Sequence, residues 1–170
     1  ILDHARTFLE RKAAYHTKVL WLTHDGKSKE AMNLVLSVLK ELGAPFPRRY
    51  LQLHVMKEVI RTKKMLRGRT DEELLALPDT QSETIDDIAG FVERLGERAL
   101  NSANPSPEYL ALSLRRAIQM TLSHGRFAST SGCFMAWGWF SAQVGWLDEA
   151  HRFGRLGLKI AEQGKGGHHD

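Results

Sequence analysis

The chain has 170 residues, 42% hydrophobic and 26% charged, with a formal charge of +4. That much apolar material supports one buried core and argues against disorder, and no apolar run reaches the roughly 18 residues of a membrane span. The lone Cys133 excludes an internal disulfide, which points to a reducing, cytoplasmic setting, and the short apolar runs predict no insertion into a membrane. The chain starts at Ile1 with no methionine, basic lead-in or signal-type stretch, so it reads as part of a larger protein. We expect one helical domain over 1–163 and a flexible glycine- and histidine-rich tail over 164–170.

Helical punctuation recurs along the chain, whereas strand-type alternation does not persist. Residues 3 to 23 place Ala5, Phe8, Leu9, Ala13, His16, Val19 and Leu20 at three- and four-residue steps, and His24-Asp25-Gly26 closes that helix. Ser28 suits the N-cap of a second helix with Ala31, Leu34, Val35, Val38, Leu39 and Leu42 on one face. Gly43, Pro45 and Pro47 stop it. A third helix, from about Arg49 to Leu66, turns Leu51, Val55, Val59, Ile60 and Leu66 inward. Thr70 and Glu73 form a capping box that opens a short turn ended by Pro78. Ser82 caps the next helix, whose inward face is Ile85, Ile88, Ala89, Val92, Leu95, Ala99 and Leu100.

After the break Asn104-Pro105-Ser106-Pro107, Pro107 suits the first turn of a helix carrying Leu110, Leu114, Ala117, Ile118, Thr121 and Leu122. The helix from about Ser129 to Val144 is apolar nearly all round, which predicts a central position. A last helix, about Leu147 to Glu162, buries Ala150, Phe153, Leu156, Gly157 and Ile160, and Gly154 and Gly157 suit close helix approach. Gly26 to Ala31 and Gly145 to Ala150 share the form G-x-x-x-E-A, a glycine turn opening a helix with a small residue where helices meet. The fold class is therefore all-α: about seven helices in antiparallel hairpins, stacked as a tetratricopeptide-like superhelix. A regular period of about 34 residues is missing, so the pattern is repeat-like.

Charge is segregated. Eight basic residues lie between Arg48 and Arg69 against Glu58 alone, and nine acids lie between Asp71 and Glu97 against Arg94 alone. The two segments could attract one another, or each could face its own partner. There is no phosphate-binding G-x-x-x-x-G-K-[ST] loop, no H-E-x-x-H and no cysteine cluster, so no cofactor or metal site is expected. Asp148 and His151 read as a solvated pair rather than a shared metal site, and His168-His169-Asp170 as leftover tail sequence rather than a loose metal grip. Ser123, Ser129, Ser131 and Ser141 lack a nucleophile elbow, and capping or close packing accounts for them. No catalytic residue is assigned. Arg61, Lys64, Arg67, Trp137 and Trp139 are the candidate interaction surface, with other protein domains as partners. Nucleic-acid binding through the basic segment 48–69 is the weaker alternative, since its positive charge follows no single stripe and has no aromatic platform.

Four phrases occur in order: L-K-E-L-G-A-P-F-P (Leu39–Pro47), M-L-R-G-R-T-D-E-E-L-L-A-L-P-D (Met65–Asp79), T-L-S-H-G (Thr121–Gly125) and R-F-G-R-L-G-L-K-I (Arg152–Ile160). Together, from about Ala31 to Glu162, they resemble the helical segment after the AAA- or STAND-type P-loop ATPase module of large signalling proteins. Those proteins join a serine/threonine-kinase-like domain, the ATPase and a GAF-containing sensor histidine kinase. The resemblance implies a non-catalytic regulatory or scaffolding role, with the catalytic residues in other domains and none carried over to this segment. Gly132, Gly138 and the tryptophans between 129 and 144 depart from that pattern.

Overall fold

The computed structural model describes residues 8–47, 52–101 and 105–166. Within them eight α-helices follow one another without a strand: α1 (Phe8–His24), α2 (Ser28–Glu41), α3 (Gln52–Arg67), α4 (Asp71–Leu75), α5 (Glu83–Asn101), α6 (Pro107–His124), α7 (Thr130–Gln143) and α8 (Leu147–Gly166). The eighth helix beyond the seven read from the sequence is α4. The Thr70 hydroxyl accepts from Glu73 N–H at 3.2 Å and the Glu73 carboxylate accepts from Thr70 N–H at 3.0 Å, and this complete capping box winds one full turn. Ser82 also caps as expected, its Oγ accepting from Ile85 N–H at 3.3 Å. Ser28 does not cap: Lys27 holds the N-cap position and no side chain bonds there. Helix α8 runs through Gly166, past the boundary placed at 163. Ala5, Arg48, Arg49, Leu51, Asn104 and His168 to Asp170 lie outside the described residues.

Short turns fold consecutive helices back on one another. Gly26 and Gly145 take φ of +73° and +80°, the left-handed conformation that L side chains resist, and each reverses the chain into a new helix. The resulting neighbours are α1 with α2, α5 with α6 and α7 with α8, while α2 also packs on α5, and α6 on α7. Helices α3 and α4 lie between the first and second hairpins in sequence, yet pack on α6 and α8 respectively.

Helix α6 separates two cores. Leu112, Ala117 and Met120 face the first, built from α1, α2 and α5 around Val19, Val35, Leu39, Phe91 and Leu95. Ala111, Leu114 and Ile118 face the second, built with α3, α4, α7 and α8 around Leu66, Leu74, Phe134, Trp137, Phe153 and Leu156. The helix buried on two sides is thus α6 and not the more apolar α7. Met135, Trp139 and Val144 of that region are 38%, 46% and 45% exposed. Although Cys133 of α7 reaches the first core and α7 also touches α6, its closest contact is with one neighbour.

That neighbour is α8. A Cβ on Gly138 would come within 2.9 Å of both Ala150 O and Gly154 N, and one on Gly157 within 2.8 Å of Ser131 O. Position 138 meets 150 and 154 while 157 meets 131 and 135, so the pair is antiparallel and its backbones touch where side chains are missing. Gly125, at φ +90°, serves a different approach: its missing Cβ lets the chain pass the Pro78 carbonyl. Arg126 N–H then donates to Pro78 O at 2.7 Å and Thr80 N–H to Arg126 O at 2.6 Å, tying the turn after α6 to the turn after α4. Two residues read as inward point out instead, Ile60 at 52% and Leu100 at 40% exposed.

Substituting Gly138→Ala or Gly157→Ala should lower stability by about 1–3 kcal/mol, because backbone must move to admit each methyl. Gly154→Ala meets nothing within 4 Å and should stabilise by up to about 1 kcal/mol through helix propensity. Urea unfolding of the three variants checks both signs.

Helix α1 docks through His16, whose ring stacks on Phe91 at 4.6 Å with its Nδ1 buried and unpartnered, beside an ion pair between Lys12 and Asp87. Burial, then Arg94 and Lys12, push the imidazole pKa below its ordinary value, against a smaller pull from Asp87. Because the folded value lies below the unfolded one, the neutral ring's contribution is whole above pH of about 6.5 and is lost as pH falls. Wild type should therefore lose more stability than His16→Gln between pH of about 7 and about 5, as read by thermal unfolding at each pH.

Candidate protein-docking face

Helix α3 carries two apolar stripes. Val59, Thr62 and Leu66 are buried, with Val55 half-buried beside them, at the three- and four-residue steps of one face turned to α6. The buried Thr62 hydroxyl is satisfied by donating to Glu58 O at 2.9 Å. On the opposite side Leu53 is 82%, Met56 59% and Ile60 52% exposed, in line with exposed Lys57, Lys64 and Arg67. Among the described residues, nothing packs over these three large apolar side chains on one side of a surface helix.

The basic residues of α3 divide by geometry. Arg61 donates to Glu58 at 2.8 Å, and Arg115 pairs with the same carboxylate. Lys63 lies 3.7 Å over the Trp146 ring and 3.4 Å from Glu149, which anchors α3 to the start of α8. Lys57, Lys64 and Arg67 make no ion pair among the described residues. Beside this face a groove of about 500 Å³ runs between α3, the start of α6 and the α7–α8 corner. Its walls are chiefly apolar, from Val55, Met56, Pro107, Phe140, Val144 and Trp146.

Of the five residues predicted for an interaction surface, Arg61, Lys64 and Arg67 are exposed on α3, and Arg61 is already bound to Glu58. Trp139 is 46% exposed on α7. Trp137 corrects the expectation: it is fully buried in the second core, 5.6 Å from the Phe140 ring, where its large apolar area is removed from water. Leu53 and Met56 share this face with Ile60, which the sequence pattern predicts to lie inward. The signal was present as the 53, 56, 60 spacing, but the 55, 59, 62, 66 spacing on the same helix competes with it.

Three acids of the acidic segment are bound elsewhere. Asp71 pairs with Arg152 at 2.7 Å, Asp79 with Arg126 at 3.0 Å, and Asp87 with Lys12. No ion pair joins it to α3 among the described residues, because α3 packs against the face of α6 that lines the second core while α5 packs against the other. A cavity of about 820 Å³ between the starts of α5 and α7 and the end of α8 has Arg126 in its wall. That guanidinium is held by Asp79, by Gln163 at 2.7 Å and by Leu75 O at 3.4 Å. Ser141 is fully buried while His124 and Asp148 are exposed, and no hydrogen bond links them among the described residues. No group of three His, Cys, Asp or Glu among those residues is placed to hold a metal, and no helix there is long and apolar enough to cross a membrane.

No protein-family model matches the chain, and no curated protein or solved structure matches it either.

Cys133 is buried, and burial, with a smaller push from Glu93, lifts its thiol to about 12. At pH of about 7 the thiolate fraction is then orders of magnitude below that of a free cysteine. Native protein should react with iodoacetamide at least about 100-fold more slowly than the urea-unfolded chain, followed by mass spectrometry.

Proposed function

We propose that this segment is a non-catalytic helical scaffold whose α3 face holds another protein part, either a neighbouring domain or a separate chain. The observation that carries this reading is the exposed Leu53–Met56–Ile60 stripe beside an apolar groove, with Lys57, Lys64 and Arg67 outside any ion pair among the described residues on the same face. Apolar anchors next to a concave apolar slot, rimmed by charge, have the anatomy of a protein contact. The hairpins favour a tetratricopeptide-like stack, in which helix pairs offer an extended surface and small shifts in packing pass from one pair to the next. In the setting that the sequence resemblance suggests, a cytoplasmic multidomain signalling ATPase or kinase, such a shift would carry the state of one domain to another.

A nucleic-acid interface is the second reading, favoured by these same three cations of α3. The apolar side chains among them weigh against it, because a phosphate backbone offers those side chains no partner.

Placing a photo-crosslinking residue at Ile60 in the parent protein, with one at exposed Thr17 on α1 as control, tests the proposal. A protein adduct, within the parent or to a second chain, should form at position 60 and not at 17. Equal labelling at both positions, or a nucleic-acid adduct at 60, would reject it.

A further inference from the structure

The α3 face has a counterpart on the same molecule. Along α3 the solvent-facing residues Leu53, Lys57, Ile60, Lys64 and Arg67 recur at steps of four, three, four and three. Along α5 the outward residues Asp86, Gly90, Glu93, Glu97 and Leu100 follow the same steps. Such spacing keeps five residues on one stripe of a helix over about four turns. All are exposed except Gly90, which is partly covered. One stripe is basic and apolar, and the other is acidic.

Laid antiparallel, the two stripes match. Leu53 meets Leu100, Lys57 meets Glu97, Lys64 passes over Gly90 and Glu93, and Arg67 meets Asp86. Ile60 then falls between Glu93 and Glu97, over a slot of about 210 Å³ that opens between α5, α6 and α7. Small residues, Gly96, Gly132 and Ala136, keep that slot open, and Leu100 walls it. None of the basic α3 side chains reaches these acids within one molecule, since α3 and α5 pack against different faces of α6.

We propose that the occupant of the α3 face is a second copy of this chain, docking its α5 face antiparallel to α3. This rests on the reading of α3 as a protein-docking face. The contact joins two different surfaces, so each copy keeps one free face and association continues into rings or open stacks. Two helix faces make a small interface, so the association is weak and falls with salt.

Sedimentation velocity on the whole chain tests this. At about 20 mM salt and concentrations on the order of 100 µM, the average mass should rise with concentration, and it should fall to the monomer value at about 500 mM salt. Lys57→Glu and Glu97→Lys should each weaken association at least tenfold. Combining both changes in one chain should restore it, because the charge pair is re-formed in reverse. Ile60→Asp, which leaves the charge pairs in place, should also weaken it at least tenfold. All these side chains are exposed, and circular dichroism verifies that the variants stay folded. A wild-type chain that remains monomeric throughout, or single variants that associate unchanged, overturns the proposal, as does a double variant that fails to recover. A protein adduct at position 60 alongside a strictly monomeric chain would leave the docking face standing and remove only the second copy as its occupant.

Discussion

The burial of α6 on two opposing sides is the constraint on which the remaining architecture depends. Ala111, Leu112, Ser113 and Leu114 are buried in succession, which an amphipathic surface helix does not permit. Ser113 is accommodated because its hydroxyl donates to Tyr109 O at 2.7 Å, and Thr121 because its hydroxyl donates to Ala117 O at 3.1 Å. With both faces of α6 in use, α5 has to take one side and α3 the other. The charge separation follows directly: a basic helix and an acidic helix cannot neutralise each other across a wall about one helix diameter thick, on the order of 10 Å.

The α7–α8 pair solves a different problem by the same means, closeness. Glycine backbones at 138 and 157 allow helix axes to approach until main-chain atoms touch, which gains dispersion contacts without interlocking long side chains. The cost is that α7 needs little amphipathicity to be held, so apolar Met135 and Trp139 remain toward solvent. Arg126 then closes the far end, linking the turn after α4, the turn after α6 and the last turns of α8 through one guanidinium. Distributed hydrogen bonding of this kind orders loops that would otherwise have only a single backbone bridge to hold them.

A basic surface can arise merely because cations are left over after folding, and here the leftovers are selective. Lys63 is consumed in seating α3 on Trp146, and Arg61 pairs along the helix with Glu58, the carboxylate that Arg115 of α6 also holds. Lys57, Lys64 and Arg67 are the ones on the same stripe as Leu53 and Ile60, so charge and apolar area coincide on the single side of α3 that packing does not use. On that coincidence the proposed docking face rests.

Periodicity and capping chemistry were sufficient, in the linear chain, to specify an all-helical fold, the Thr70 capping box, the Ser82 cap and the hairpin turns at Gly26 and Gly145. Those features are local: each depends on residues within one turn of one another, so the information is present before any tertiary contact forms. Which stripe of a helix with two apolar stripes goes inward is not local. Val59 and Ile60 are adjacent and equally apolar, and only the position of α6 buries the first and leaves the second in water. Composition likewise marked α7 as the centre, whereas the centre is α6, because burial on two sides is decided by a helix's neighbours and not by how many apolar residues it carries. Residues 53, 57, 60, 64 and 67 were always in the sequence, but their being a free surface is a property of how α3 is seated.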